Sequence, residues 1–584
     1  MKIQFITILL TIALFFSYST DVRAKVKHVD VGEELSKANW LDADTHLGDA
    51  VTATILVAAY DSSNTQKADY SCDGNADQVQ VQAALDALPA YGGKVVMLEG
   101  NYVFSVRVNF YSDDIELYMM KGVKITMPPS TDADFFKAID KNNIYIHGGE
   151  LDGANQVKVD ASCSGVIFSG VDGGRIEDMI INNTWNTAIN VTNCNRTKIL
   201  RNRIYNLRNP DLQTCGMLIR SVEEQPPEEG DIIAMYNHIE TGYGEGVDIN
   251  RIVTNVFFTH NTIIGFPEQG IDAGAAKNTI ITNNIVRNCG TNPNMAAIIG
   301  PESGSVSNNV IEGGNDGIRG NGPGFGVSIV GNDIYGQTHS CIRLQNGSHY
   351  NVIGNRCHSA DFYGIRLSGA SHYNCINGNQ VYNNSQGNPG VRAGIQLEDT
   401  SSHNSITGNT ITDNREDVEE KTQGRAIKEE DTPDYNMYKN NMMLGNITES
   451  VTDLIGVHNT YDISAISVEM DLSDPDEDFF VFHAVSTCVL VGFQTIWTEA
   501  AGDSNTCTIR VGEIEDDGTT VEDEFASYTT NGGETLGQVT YKKYGDLNNT
   551  HEAIEEGHSI TVGHTQKTGG GKVRIVLQIA EMAD

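Results

Sequence analysis

Two stretches, EGVDIN at 245–250 and QGIDAG at 269–274, share one frame of small residue, aliphatic residue and acid. The frame returns as DGIRG at 316–320, SCIRLQ at 340–345 and YGIRLS at 363–368, with arginine where the acid stood. In a strand, successive side chains face opposite sides. If Val247, Ile271, Ile318, Ile342 and Ile365 point inward, Asp248, Asp272, Arg319, Arg343 and Arg366 point outward. MAAIIG supplies Ile299 between the acids and the arginines, and Gln396 follows Arg366. Strands stacked at about 4.8 Å would turn this slot into one column on one outer face.

Two stacked carboxylates repel, so one has a raised pKa or a cation sits between them. Arginines beside them can pair with the carboxylates of an acidic polymer. The column therefore reads as a linear groove for an anionic polysaccharide, with an acidic reaction centre at one end. Asp248 and Asp272 are an acid and base pair for glycoside hydrolysis, whose separation would set the stereochemical outcome. Glu245 and Asp316, at the turn before the slot, are further candidate carboxylates, while Arg343, Arg366 and Gln396 are candidate substrate-binding residues. The plainer alternative is a solvated ladder of mutual salt bridges. A second column is suggested by SHYN at 348–351, SHYN at 371–374 and SHN at 402–404. It places His349, His372 and His403 at equivalent turns, as turn packing or as transition-metal ligands. Tyr350 and Tyr373 beside them are sugar platforms or packing.

A column needs a repeat to build it. Asparagine recurs at 202, 237, 261, 284, 309, 332, 355, 379, 409 and 441, in phrases such as VIGN and SITGN. Each repeat holds short aliphatic, β-branched runs, too short for helices. About 23 residues with three short strands make one turn of a parallel β-solenoid, expected over 95–450. The asparagines should stack as an amide ladder. Leucine-rich spacing is absent. Longer steps are loops, at 211–231 and 414–424. Residues 25–94 form an N-terminal segment and cap. Its amphipathic helix carries Val79, Val81, Ala84, Leu85 and Leu88 and is stopped by the glycines at 92–93. From 460 to 584 the pattern alternates like antiparallel strands, which predicts a β-sandwich. The fold class is thus all-β: a right-handed parallel β-helix with a capping helix and a C-terminal sandwich.

The chain has 584 residues and a formal charge of −38, which argues against nucleic acid as a partner. Residues 1–24 read as a secretory signal peptide ending at Ala24, with a membrane anchor as the alternative. No later segment is long and apolar enough to insert in a membrane. The expected location is secreted or cell surface. Ten cysteines suit an oxidising compartment. Cys488 and Cys507 are the expected disulfide, whereas Cys341, Cys357 and Cys375 read as buried small hydrophobes.

The segment ADYSCDGNADQVQVQAALDALPAYGGKVVMLEGNYVF (68–104) and the NxIxGN coils resemble the pectate-lyase-like right-handed β-helix superfamily, with its NosD-like repeat proteins and phage tailspike-type relatives. The resemblance covers roughly residues 50–450. It implies fold more strongly than activity. By similarity to the calcium and arginine site of pectate lyases, Asp248, Glu268 and Asp272 would hold Ca²⁺ and Arg319 would be the base of a β-elimination. That family's Trp-x-Asp-His segment is absent, as are the DD and GHG phrases of polygalacturonase-like hydrolases. The expectation is a polysaccharide lyase or glycoside hydrolase acting on an acidic extracellular polysaccharide. The alternative is a non-catalytic adhesin or phage-spike-like scaffold. The C-terminal module could bind sugar, make a homotrimer or cap the helix.

Overall fold

The computed structural model describes residues 53–446, apart from 158–162, 210–213, 222–229, 251–252, 325, 416–419 and 445, together with the strands between 463 and 581. The expected signal peptide and the Cys488–Cys507 pairing lie outside the described residues and side chains, as do 211–213 and 222–229 of the expected 211–231 loop, whereas Cys215–Arg220 within that stretch is not loop but a strand of a coil.

Each coil contributes three strands. One coil runs through Ile271–Asp272, Thr279–Thr282 and Ile285–Arg287, and the next through Ala296–Ile299, Gly304–Ser307 and Val310–Glu312. Successive coils pair in parallel. The first strands of the coils form a thirteen-stranded sheet, from Val108–Phe110 to Arg425–Glu429. The others belong to a 28-stranded sheet with two strands per coil.

The core follows from register. Ile263, Val286, Ile311, Ile334, Cys357, Val381 and Ile411 stand directly above one another. All seven are fully buried. Burying each aliphatic side chain contributes roughly 1.5–3 kcal/mol. Cys357 thus fills an aliphatic place, and Cys341 is buried as well, as expected. Cys375 instead faces partly outward, opposite Asn351 and Ser405.

The asparagine ladder forms through all ten positions. Each Oδ1 accepts from the backbone N–H and the Nδ2 of the asparagine one coil earlier, as from Asn309 to Asn332 at 3.0 Å for both. Each Nδ2 also donates to a backbone carbonyl, as from Asn309 to Ile281. The residue before the ladder asparagine bends the chain into the left-handed region, at φ 65° in Gly331 and 53° in Asn308. Glycine and asparagine adopt that region most readily, which is why the phrase ends in Gly-Asn or Asn-Asn.

The N-terminal helix spans Gln78–Asp86. Val81, Ala84, Leu85 and Leu88 are buried, at helical spacing. Val79 falls off that face and is exposed. The helix ends at Asp86, before Pro89 rather than at the glycines. Gln82 bonds both ways with the backbone of Asn109, at 2.9 and 2.8 Å. Gln78 accepts from Ser105 N–H. These side-chain amides occupy backbone groups in and just before the first strand of the thirteen-stranded sheet, on the edge where no strand among the described residues pairs.

Near the C-terminus the parallel pattern stops. One four-stranded antiparallel sheet has the order Ile463–Asp471, Lys572–Glu581, Cys488–Glu499, Val539–Lys543. A second has the order Glu477–His483, Ser559–His564, Thr508–Ile514, Val521–Thr529.

Candidate functional site

The thirteen-stranded sheet carries the expected column in register. Leu218, Asp248, Asp272, Ile299, Arg319, Arg343, Arg366, Gln396 and Lys428 are successive partners. Their order turns a two-residue alternation into a charged strip along the coil axis.

At the acidic end, Asp248 and Asp272 are directly paired on neighbouring strands. Burial, then the charges of Asp248, Asp272 and Glu268, push the Glu245 carboxyl up to about 9. Burial also raises Asp272, against one hydrogen bond from Gly274 N–H at 2.9 Å. Glu268 is raised by burial and by Asp272. Glu245 therefore holds a proton at neutral pH and can donate it. Among the described residues no group of three or more His, Cys, Asp or Glu is arranged to hold a metal ion.

At the basic end, Asp316 is the centre. Its carboxylate is fully buried and accepts from Arg319 Nη2 at 2.5 Å, Arg319 Nε at 3.1 Å and His339 Nδ1 at 2.8 Å. Burial works to raise its pKa, but the bonds from His339 and Arg319 outweigh it and hold the group below its ordinary value. Arg319 also donates to the carbonyls of Asn294 and Met295. With Nε, Nη1 and Nη2 all engaged, its guanidinium is a fixed cation. The elimination base expected at Arg319 is thus a side chain held in place by Asp316, Asn294 and Met295.

Arg366 binds Glu398 through Nε at 3.0 Å and Nη2 at 2.5 Å, and its Nη1 donates to His339 Nε2 at 3.2 Å. Gln396 donates to Glu398 and Glu430. Arg343 differs from its neighbours. Among the described residues its one ion pair is a 3.6 Å approach to Asp316, whose carboxylate is already occupied, and its buried Nε has no hydrogen-bond partner there. Burial lowers its pKa; Asp316 opposes this, and Arg366 and Arg319 add to it. The face therefore holds one under-neutralised guanidinium between two others.

His339, Glu398, Arg392 and Glu430 belong to this cluster outside the quoted repeat phrases, and Tyr363, the first residue of YGIRLS, joins it in register with Ser340 and Asp316. Arg366 and Arg392 lie over the Tyr363 ring at 5.0 and 5.2 Å. Glu398 was findable, since it lies two residues beyond Gln396 on the same strand face.

The expected histidine column is corrected by one residue. Asn351 pairs with Cys375, so His349 faces Tyr373 rather than His372. His349, Tyr373, His403 and Tyr435 stack at centroid distances of 5.4, 5.0 and 5.0 Å. Tyr373 packs between two histidines in this stack and is still exposed. Tyr350 is buried packing. Two surface clefts, one lined by Lys121, Lys124, His147 and Glu150 and one by Asn206, Arg208 and Tyr243, lie away from the column.

The family model described as "Right handed beta helix region" matches residues 137–286. The coils of this chain are right-handed. The model "Periplasmic copper-binding protein (NosD)" matches residues 227–447 of the right-handed β-helix, including the whole charged column from Asp248 to Lys428. No curated protein sequence matches the chain. Among solved structures, the β-helix is similar to a mannuronan C-5 epimerase A-module of Azotobacter vinelandii, with 17% identity, TM-score 0.36, and 66% and 96% of the two chains covered. It is similar to the tailspike of E. coli bacteriophage HK620 in complex with a pentasaccharide, with 12% identity, TM-score 0.43, and coverage of 87% and 90%. The catalytic unit of a Streptomyces thermodiastaticus α-1,3-glucanase shares 12% identity, with TM-score 0.39 and coverage of 62% and 65%.

Proposed function

We propose that this protein acts outside the cytoplasm, where its β-helix binds an acidic polysaccharide lengthwise along the column and cleaves it there. The observation that carries the reading is Arg343. A partly exposed guanidinium whose ion pair to Asp316 is as long as 3.6 Å is a costly arrangement unless an anion completes it. The chain as a whole carries −38, so a basic strip on one face runs against its composition. A carboxylate or sulfate on a sugar supplies the missing acceptor, and neighbouring coils repeat the basic position at about 4.8 Å.

Two cleavage chemistries belong to two ends of the strip. Asp248 and Asp272, with Glu245 as proton donor, supply the groups of a hydrolase. The arginine end supplies positive charge to stabilise the negative charge that a β-elimination develops on a uronate carboxylate. A scaffold without catalysis is the second reading, favoured by the pairing of Arg319 with Asp316 and Arg366 with Glu398.

The test uses the full chain, a panel of uronate-rich, sulfated and neutral polysaccharides, and mass spectrometry of products with calcium or chelator. Acidic polymers should bind and weaken with added salt. Arg343→Gln should weaken that binding about tenfold, as loss of a charge-assisted contact does. Products lighter by one water mark a lyase, and hydrated products a hydrolase. Equal binding of neutral and acidic polymers overturns the reading.

A further inference from the structure

We propose that His339 is the base that removes the α-proton of a uronate bound on this face, so that the polymer is cut by β-elimination. This rests on the acidic-polysaccharide reading and adds its reacting group. His339 stands at the corner directly before the strand Ser340–Ser348, inside the arginine run. Arg366 Nη1 lies 3.2 Å from its Nε2 and Asp316 Oδ1 lies 2.8 Å from its Nδ1. A guanidinium can only donate, so Nε2 is the acceptor and Nδ1 carries the proton. A buried carboxylate that fixes this tautomer leaves Nε2 ready to take a proton. Asp316 is suited to that role, being fully buried and kept ionised by its two cationic or donating neighbours. Ser340 Oγ, 2.9 Å from Nδ1, adds a second contact on the same side.

The Arg366 contact sets an order of events. Glu398 holds the Arg366 Nε–H and one N–H of Nη2, and His339 one N–H of Nη1, so one N–H on each Nη is left for an incoming anion. A uronate carboxylate spanning Arg343 and Arg366 would draw the Arg366 guanidinium toward itself and away from His339. The Nε2 lone pair then loses its partner and faces the sugar. Nε2 then takes the α-proton. The released C–H electron pair forms the double bond to the β-carbon, and the bond from the β-carbon to the glycosidic oxygen breaks. That oxygen leaves with its electron pair and takes a proton from water, while His339 returns its proton to solvent. One new end is an unsaturated uronate and the other a hydroxyl. Charge that builds on the carboxylate during the step is met by Arg343 and Arg366, both in place before the proton moves.

The assay follows the absorbance of the unsaturated uronate formed by the full chain from polyuronates, in chelator, alongside polymer affinity. The wild type should form it. His339→Gln should lower kcat roughly a hundredfold or more, the usual size of a general-base effect, with affinity unchanged. Asp316→Asn should lower kcat as well, and its melting temperature reports whether the fold survives. Because Asp316 also anchors Arg319, His339→Gln carries the decision. An unchanged rate of unsaturated product in His339→Gln overturns the assignment, and so do hydrated products from the wild type. A wild type that binds polyuronate without cleaving it overturns the base and leaves the binding face standing. A wild type that binds no acidic polymer overturns both.

Discussion

Glu245 shows what clustering does to a single group. Its carboxyl is raised to about 9 in the folded chain, against an unfolded value near 4.3. Between those values the native state binds a proton that the unfolded state lacks. Stability from this group is therefore fully present below the unfolded value and lost as pH rises toward 9. Glu245→Gln keeps the neutral shape and cannot ionise. The gap in stability between the variant and the wild type should widen from about pH 5 upward, by at most about 1.4 kcal/mol per pH unit. Thermal melts across that range measure it, and a constant gap refutes the shift. The slot residues were legible because two-residue alternation and a 23-residue coil step both act on Asp248, Asp272, Arg319, Arg343 and Arg366. His339 was not. A lone histidine at a corner joins the cluster only through where that corner brings its ring, and no periodicity encodes that.

At the scale of the strand and its corner, the asparagine ladder fixes register. Asn309 is buried, donates to Asn332 and Ile281, and accepts from the backbone and side chain of Asn284. Asn309→Ala would strand those buried partners, at about 1–3 kcal/mol for each unsatisfied group. Asn441 is partly exposed and closes the series, so Asn441→Ala should cost less. Urea melts of the two variants compare them directly. The ladder also explains the misplaced histidines. The two SHYN phrases are 23 residues apart, but Asn355 and Asn379 are bonded across 24. The buried amide sets the register and the surface tetrapeptide slips by one. The helix Gln78–Asp86 was legible from its apolar spacing, but the pairing of Gln82 with Asn109 was not, because a polar side chain serving as a strand partner has no compositional mark.

For the whole molecule, contacts in a solenoid run mainly between neighbouring coils, so a complete coil is a removable unit. Deleting residues 332–354 takes out one step of the ladder and brings Asn355 behind Gly331, the residue that bends the chain there. The shortened chain should keep its parallel strands and cooperative melting. It loses His339 and Arg343 together, so it should no longer bind or cut acidic polymer. Circular dichroism and the binding assay separate these outcomes. Binding at the wild-type level in the shortened chain contradicts the placement of the site.

The same stacking makes groove length a countable trait. Duplicating a 23-residue segment in frame inserts one more rung at about 4.8 Å without disturbing the ends, since the newcomer meets the same neighbours as its parent. Lineages carrying such duplications would inherit longer or shorter footprints on a polymer. The strip from Asp248 to Lys428 is then a ruler whose length is set by the number of coils and whose markings, acid or base, are set by one residue in each.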